Sequence, residues 1–463
     1  MGHRGQDLSI VSPVGYSSSS CGYCSENGKR SSGKTSHKYG LWAHDLSPSH
    51  YQALCDAGWR RSGHYVYKPD LRRTCCSQVT IRLNADEFRA SKRHRRVLRN
   101  AAEQLQGSET DAQDASAFRQ VWGKGKGKGR YSESISLEEA FDSIQGRAET
   151  WAPPKGGQEL AQEHERRRQA AMLARRGNRN SLPGPPFLAG ARLKRRLVTT
   201  LIPAQASKEK YALFKRYQIG IHKEGEDDVS LSSFKRFLCD SPVRREAPEH
   251  PPETLDGNGV PLAYGLYHME WRLTPNDGEQ SDQQGQLVAV GVLDLLPTCV
   301  SSVYLFYDPK WASLQLGKLS ALREVLLAQE LKRAGLLQAP EAWYYMGYYI
   351  WNCPKMRYKG EYGPSELLDA ADGSWWPLDV AERNLASGLG YAWTQGADRR
   401  SSGPRDEPRD DDDSDDERFL PTPSPPGCAS PSSLDPRAVA MLRILEADRQ
   451  KEGLKPYAVS VFA

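Results

Sequence analysis

Ten consecutive residues, Leu287 to Leu296, are apolar except for Gly291 and Asp294, and Pro297 closes them. A run this short and this apolar reads as a strand buried on both faces, which demands one layer of structure above it and another below. Val303 to Tyr307 supplies a second strand, closed by Asp308-Pro309. Leu316, Leu319, Leu322 and Leu326 then share one face of a helix predicted over residues 314–333 and ended near Gly335. Trp343 to Ile350 reads as a third strand. The order strand–strand–helix–strand predicts a mixed sheet covered by a long helix.

The rest of the chain is less apolar. Only 38% of its 463 residues are hydrophobic, so part of it should stay outside any core. Residues 1–88 carry Cys21-Gly22-Tyr23-Cys24, a polar loop to Gly40, a short helix over 49–58 and strands at 63–67 and 79–83. A module this small buries little core without a staple. Residues 89–190 form a basic helical stretch followed by a linker in which Gly and Lys alternate from Gly123 to Gly129. The main body spans 191–396, with a strand over 192–202, helices over 208–221 and 229–238, and the elements above. An acidic, Pro-rich segment fills 397–436, where nine of the twelve residues from Asp406 to Glu417 are acidic. A terminal helix is predicted over 438–451.

Charge is distributed unevenly. From Arg89 to Arg196 there are 23 Lys/Arg and 12 Asp/Glu, a local excess of +11 against a whole-chain net of +5. Such a basic middle suits a polyanionic partner. No stretch offers the ~20 apolar residues that span a bilayer, and Met1 to Ser20 lacks the apolar core of a signal peptide. A cytoplasmic protein, possible also in the nucleus, is the expectation, acting as a monomer and without a membrane partner.

Four of the nine cysteines form a constellation. Cys21 and Cys24 can chelate one ion from a tight turn, and Cys75 and Cys76 complete a four-thiolate set suited to zinc or to an iron–sulfur centre. Adjacent cysteines on an extended chain point apart, so His37, His44 or His64 could replace one of them.

The residues around these cysteines are more specific than their spacing. Cys21-Gly22-Tyr23-Cys24, Leu41-Trp42-Ala43-His44, Gly58-Trp59-Arg60-Arg61-Ser62-Gly63, Tyr67-Lys68-Pro69 and Thr74-Cys75-Cys76 resemble eukaryotic arginyl-tRNA–protein transferases. The likeness continues through Tyr211 to Gln218, His222-Lys223, Arg236 to Pro242, Val288 to Asp308, Leu316 to Arg323, Tyr344 to Tyr348 and Cys353 to Lys359. It covers about half the chain. One departure is His268-Met269-Glu270, where the family usually shows His-Gln.

The resemblance implies an α+β protein with a cysteine-rich metal-binding N-terminal module, a basic linker and an acetyltransferase-like (GNAT-type) mixed-sheet C-terminal domain. It implies transfer of arginine from arginyl-tRNA to the α-amine of proteins beginning with Asp, Glu or oxidised Cys, which marks them for ubiquitin-dependent N-degron degradation. The donor ester is already activated, so catalysis needs no cofactor and consists of positioning, proton removal and oxyanion stabilisation. Asp294 is the candidate for orienting or deprotonating the amine, with a loop-capping role as the alternative. Lys355, Arg357 and Lys359 beside Tyr358 would share one side of an extended segment and neutralise the acceptor's acidic side chain, or else touch tRNA. Arg323, His222 and Lys223 are further candidates for that pocket. For tRNA, the patches are Arg93, Arg95 and Arg96, and Arg192, Lys194, Arg195 and Arg196. Tyr344, Tyr345, Tyr348 and Tyr349 could stack the terminal adenine or simply fill the core.

Two rival functions remain open at this point. A CoA-dependent acetyltransferase would need a Gly-rich pyrophosphate loop, and Leu316-Gly317-Lys318-Leu319 offers one glycine. A zinc-stapled RNA-binding protein without catalysis would explain the cysteines and the basic middle only.

Overall fold

The computed structural model describes residues 9–24, 30–106, 137–145, 195–252, 256–275 and 285–388, with Trp393 and two short strands, Cys428–Ala429 and Ser460–Phe462. The Gly/Lys linker, the acidic segment, the terminal helix predicted over 438–451, and Arg192 and Lys194 lie outside the described residues.

Near the N-terminus run β1 (Ser9–Ser19), β2 (Ser36–Asp45), α1 (Pro48–Asp56), β3 (Arg60–Ser62), β4 (Tyr65–Pro69) and β5 (Val79–Asn84). Ser47 caps α1, its side chain accepting from the His50 amide, and Pro48 sits where a missing N–H costs nothing. Then come α2 (Lys92–Gln106), α3 (Leu137–Gln145), β6 (Arg195–Pro203) and α4 (Lys208–Tyr217). The main body adds β7 (Gly265–Pro275), β8 (Gln286–Leu295), β9 (Cys299–Tyr307), α5 (Leu316–Arg333) and β10 (Trp343–Tyr349). It closes with β11 (Ser365–Leu368), β12 (Trp375–Pro377) and α6 (Leu378–Ala386). Cys428–Ala429 and Ser460–Phe462 are β13 and β14.

Two sheets result. One has the order β13-β14-β1-β2-β4-β3, the other β12-β11-β5-β10-β9-β8-β7-β6. In the larger sheet β9 and β10 are parallel, joined by α5, and every other pairing is antiparallel. The strand–strand–helix–strand reading therefore holds.

The apolar run of β8 is explained by what covers it. On one face α5, α2 and α3 pack Leu319, Leu322, Leu98 and Phe141 against Val288, Leu293 and Leu295. On the other, α4 and the short helical turn after it bring Leu213, Phe214 and Phe234 against Val290 and Val292. Beside that second cluster, α1 and the smaller sheet bury Tyr51, Leu54 and Val66 against Leu296, Cys299 and Tyr345. A strand with apolar neighbours on both sides has no solvent face and loses its alternation.

Strand β5 departs from the expected modular layout. It lies between β10 and β11, its Leu83 opposite Tyr344 and its Ile81 opposite Leu367. The larger sheet thus crosses the boundary expected at residue 88. Strand β1 precedes the elements expected from the sequence, and the first half of β2, Ser36 to Gly40, falls in the expected polar loop. Short polar side chains have weak strand propensity, and here the pairing of the two strands supplies the order. Among the described residues no helix is long and apolar enough to cross a membrane.

Candidate active site and metal centre

The thiols of Cys21, Cys24, Cys75 and Cys76 all lie within 4.8 Å of one another. Cys75 and Cys76 occupy a bend rather than an extended strand, which turns both inward and removes the need for a histidine. His44 instead meets the Ser12 hydroxyl, His64 the Ala43 carbonyl, and His37 stacks on Tyr16. The Cys21 amide donates to Ser31 Oγ at 2.7 Å, and the Tyr23 amide points at Cys21 Sγ at 3.3 Å, so the backbone shapes the Cys21–Cys24 turn. Tetrahedral bonds of about 2.3 Å place sulfurs roughly 3.8 Å apart, close to what this set already offers. Four soft donors at that spacing could hold one metal ion. Cys21 and Cys76 are buried against Ile350 and Cys353, just beyond β10.

That end of β10 is where the larger sheet opens. Only Trp343, Tyr344 and Tyr345 pair with β9, opposite Cys299, Val300 and Ser301. Beyond that point β9 runs on beside β8 to Tyr307, while β10 stays with β5 through a bulge between Tyr345 and Tyr348. Gly347 takes a left-handed φ of 74° in that bulge, which a side chain would resist. Past Tyr345 and Ser301 the two parallel strands are no longer paired, so the sheet is open between them.

Tyrosines and cations gather near the free half of β9. Tyr304 and Tyr307 lie 6.3 and 4.9 Å from Tyr217, and His222 Nε2 lies 3.3 Å from the Tyr304 hydroxyl. Burial lowers the His222 pKa, and the charge of Lys355 lowers it further. Burial raises the pKa of Tyr217, with Tyr307 and Tyr358 adding to the effect. His222, Lys355 and Tyr358 are thus brought to one region. Exposed Lys223, left-handed at φ 62°, is held by the Gly220 carbonyl at 2.7 Å.

Residues 355–359 are not extended as expected. Pro354 starts a helical turn through Arg357, and a tighter turn follows from Tyr358 to Glu361. The three cations therefore diverge. Lys355 acts on His222, and Arg357 lies 3.9 Å from the Trp351 ring centroid. Lys359 turns inward, donating to the Tyr348 carbonyl at 2.8 Å, and burial together with the Arg60 charge brings its pKa down to about 7.

Two sequence candidates have other work. Asp294 is fully buried and accepts both Nε and Nη2 of Arg61, at 2.9 and 2.5 Å. A carboxylate at 0% exposure with each oxygen held by the same guanidinium is the counter-ion of Arg61 and presents no exposed oxygen to a substrate amine. Arg323 is buried against Thr199 of β6 and pairs with Glu330 at 3.0 Å. The four tyrosines of β10 are core residues whose hydroxyls meet Glu324, Asp56, the Gly58 carbonyl and Glu382. They offer no face to an adenine. Glu270, the departure from the expected motif, is the counter-ion of buried Lys210 at 3.0 Å and of Arg272 at 2.9 Å. His268 beside it is driven neutral, its pKa lowered to about 3 by burial and Lys210.

Sequence reasoning misses Glu324. It is 1% exposed on α5 and has no cation partner among the described residues. It accepts from Ser320, and from the Tyr344 hydroxyl at 2.7 Å. Burial raises its pKa, partly offset by those hydroxyls and by Ser302 of β9. As one charge in a helix full of them, it carries no signal in the sequence.

The basic stretch is a half-buried helix. On α2, Val97, Leu98, Ala101 and Leu105 enter the core, while Lys92, Arg93 and Arg96 are exposed and Arg95 half-buried. Arg93 reaches Glu361 at 2.6 Å, and His94 stacks on Tyr362. At the far end of α2, Gln104 bonds Ser313, near Trp311, over which Arg195 and Lys310 sit at 5.6 and 5.7 Å. Arg196 is half-buried next to Arg195. Fifteen helical residues span about 22 Å, so cations stand at both ends of a strip that length.

Residues 19–96 match the family described as arginine-tRNA-protein transferase, N terminus, and residues 209–369 match its C terminus. Arginyl-tRNA–protein transferase 2 of Arabidopsis thaliana is 30% identical over 81% of this chain and 76% of its own length. Arginyl-tRNA–protein transferase 1 of Drosophila melanogaster is 31% identical over 82% of this chain and 84% of its own. An aspartate/glutamate leucyltransferase of Gluconacetobacter diazotrophicus is 31% identical over 38% of this chain and 54% of its own.

Proposed function

The chain belongs to the arginyl-tRNA–protein transferase family, and we propose that it moves arginine from arginyl-tRNA to the N-terminal amine of an acceptor protein. The observation that carries this reading is the parting of β9 and β10, with tyrosines and cations gathered at the opening. Two parallel strands splayed around a crossover helix are the arrangement of a GNAT-type acyl-transfer fold, and we assign the body to that type.

The reaction is an ester-to-amide exchange. The acceptor nitrogen attacks the arginyl carbonyl carbon, the bond from that carbon to the ribose oxygen breaks, and the proton lost by nitrogen ends on the ribose hydroxyl. A free α-amine with a pKa of about 7.7–8.0 is partly deprotonated at neutral pH. The site therefore has to align two substrates, keep water out and pass one proton. The aromatic wall of Tyr217, Tyr304 and Tyr307 suits alignment and water exclusion. Glu324, hydrogen-bonded to Tyr344 beside the last paired residues of β9 and β10, is the carboxyl best placed to take up a proton through its hydroxyl partners. The cations of α2 with Arg195 and Lys310 suit the tRNA phosphates, and Lys355 and Arg357 suit the opening.

Acceptors beginning with Asp, Glu or oxidised Cys fit the cationic opening, and the bacterial relative's name also specifies aspartate and glutamate. Entry of arginylated products into ubiquitin-dependent degradation, and action in the cytosol or nucleus, follow from the same reading. At the cysteines, a single tetrahedral ion such as zinc suits the close spacing better than a multinuclear iron–sulfur cluster, which holds its thiolates farther apart. No step of the transfer passes through it.

The test is transfer of labelled arginine from arginyl-tRNA to peptides beginning with Asp, Asn and Ala, beside a parallel assay with acetyl-CoA. Arginine transfer favouring Asp supports the reading. Acetyl transfer without arginine transfer would overturn it.

A further inference from the structure

Arg60 and Arg61 are consecutive on β3 and so point to opposite faces. Arg61 finds Asp294. Arg60 bonds no carboxylate among the described residues. It is 6% exposed, and only its Nη1 is engaged, donating to the carbonyls of Cys55 and Trp59 at 3.0 and 2.5 Å. Its Nε and Nη2 donate to no acceptor among the described residues. The guanidinium carbon lies 5.4 and 5.6 Å from the ring centroids of Tyr345 and Tyr348. The carboxylate that senses it, Asp56, is already occupied by Gln52 and by the Tyr345 hydroxyl.

Lys359 shares this setting. Its ammonium bonds the carbonyl of the same Tyr348, has no ion-pair partner among the described residues, and feels Arg60 as a repelling charge. Gly347 stands next to it, and a Cβ there would come 3.8 Å from the ammonium. A buried cation and a half-buried one, neither in a direct ion pair among the described residues, are costly. None of the described residues neutralises them, and they sit at the bulge where β10 leaves β9.

We propose that Arg60 and Lys359 form the subsite for the acidic first side chain of the acceptor, a carboxylate or the sulfinate of oxidised cysteine. The proposal rests on the arginyl-transfer reading and names the specificity residues of that site, in place of a joint role for Lys355, Arg357 and Lys359. A tRNA phosphate is the weaker match, because Arg60 is 6% exposed and a polyanion backbone is bulkier than one short side chain. The free Nε and Nη2 of Arg60 form the edge of a guanidinium that takes a carboxylate by two parallel bonds.

The experiment uses the full chain with arginyl-tRNA and two peptides that differ only in Asp or Asn at the first position. The wild-type protein must first transfer arginine. Failure there counts against the transfer reading, and the subsite is then tested by direct binding of the two peptides. Arg60→Met is expected to cut kcat/KM for the Asp peptide about 10–100-fold, the range for one charge-assisted hydrogen bond. The Asn peptide should change little, so the preference collapses. Lys359→Met should move the preference the same way by a smaller factor, and it carries the test if Arg60→Met does not fold. Arg60→Lys should restore part of the preference. If Asp and Asn peptides slow equally, Arg60 merely caps the carbonyls at the end of α1, and the proposal fails. It also fails if tRNA affinity drops while the preference stands.

Discussion

Replacing Asp294 by Asn keeps the side-chain shape and removes the charge that Arg61 needs. In the pair, Arg61 is 1% exposed and Asp294 0%, and two short hydrogen bonds join them. An amide can accept one of those bonds but turns an N–H toward the other, leaving a buried guanidinium without its counter-ion. Breaking one side of such a pair costs about 3–5 kcal/mol. At about 2–4 °C per kcal/mol for a folded unit of this size, Tm should fall by roughly 6–20 °C. The double variant Arg61→Met/Asp294→Leu should recover most of the loss, since apolar residues of similar volume replace buried pairs at little net cost. Thermal unfolding of the wild type, Arg61→Met, Asp294→Leu and the double variant gives the coupling energy, and single-turnover transfer by Asp294→Asn well below its Tm gives the chemistry. The counter-ion role requires near-normal turnover in Asp294→Asn once it is folded. An unchanged Tm with turnover reduced a hundredfold would refute the argument and return Asp294 to the amine.

Cys21→Ala and Cys76→Ala, the two buried members of the thiol set, should each lose bound metal and unfold earlier; elemental analysis with visible absorption checks both the loss and the metal. Burial raises the Glu324 pKa, whereas its unfolded carboxyl ionises near 4.3. Stability is therefore lost as pH rises from there through the folded value. Glu324→Gln should accordingly be at least as stable at pH 7, yet turn over about 10²–10⁴-fold more slowly if the carboxyl takes up the proton; normal rates would leave it a core residue. Neutralising Arg93, Arg95 and Arg96 together should weaken tRNA binding and reduce the log–log salt slope by about 0.7–0.9 for each phosphate left without its cation, which a salt titration of affinity measures.

The parts legible in the sequence are those governed by local pattern. The leucines of α5 and the apolar run of β8 each announce themselves within about twenty residues, and each of the two cysteine pairs within four, though 51 residues separate Cys24 from Cys75. The carboxylate of Asp294 is legible as a problem, costly unless paired. Its solution is not, because Arg61 is 233 residues away. Arg60 and Arg61 look alike in sequence, and only the placement of β3 between Asp294 on one side and the β10 tyrosines on the other tells them apart. The basic run 355–359 has the alternation of an extended segment, but Pro354 imposes a turn. Strands β1 and β2 escape sequence reasoning because serine and glycine carry little strand preference of their own.

The position of β5 also bears on how the chain comes to be made. Leu83 leaves the ribosome roughly 260 residues before its partner Tyr344. At about 5–20 residues per second that is a wait of roughly 13–50 seconds. Through that interval a strand with three fully buried apolar side chains, Val79, Ile81 and Leu83, has neither of its final neighbours. Closing the larger sheet is therefore a late, long-range event. A nascent chain stalled before β10 would present an open strand edge, the natural target for a chaperone.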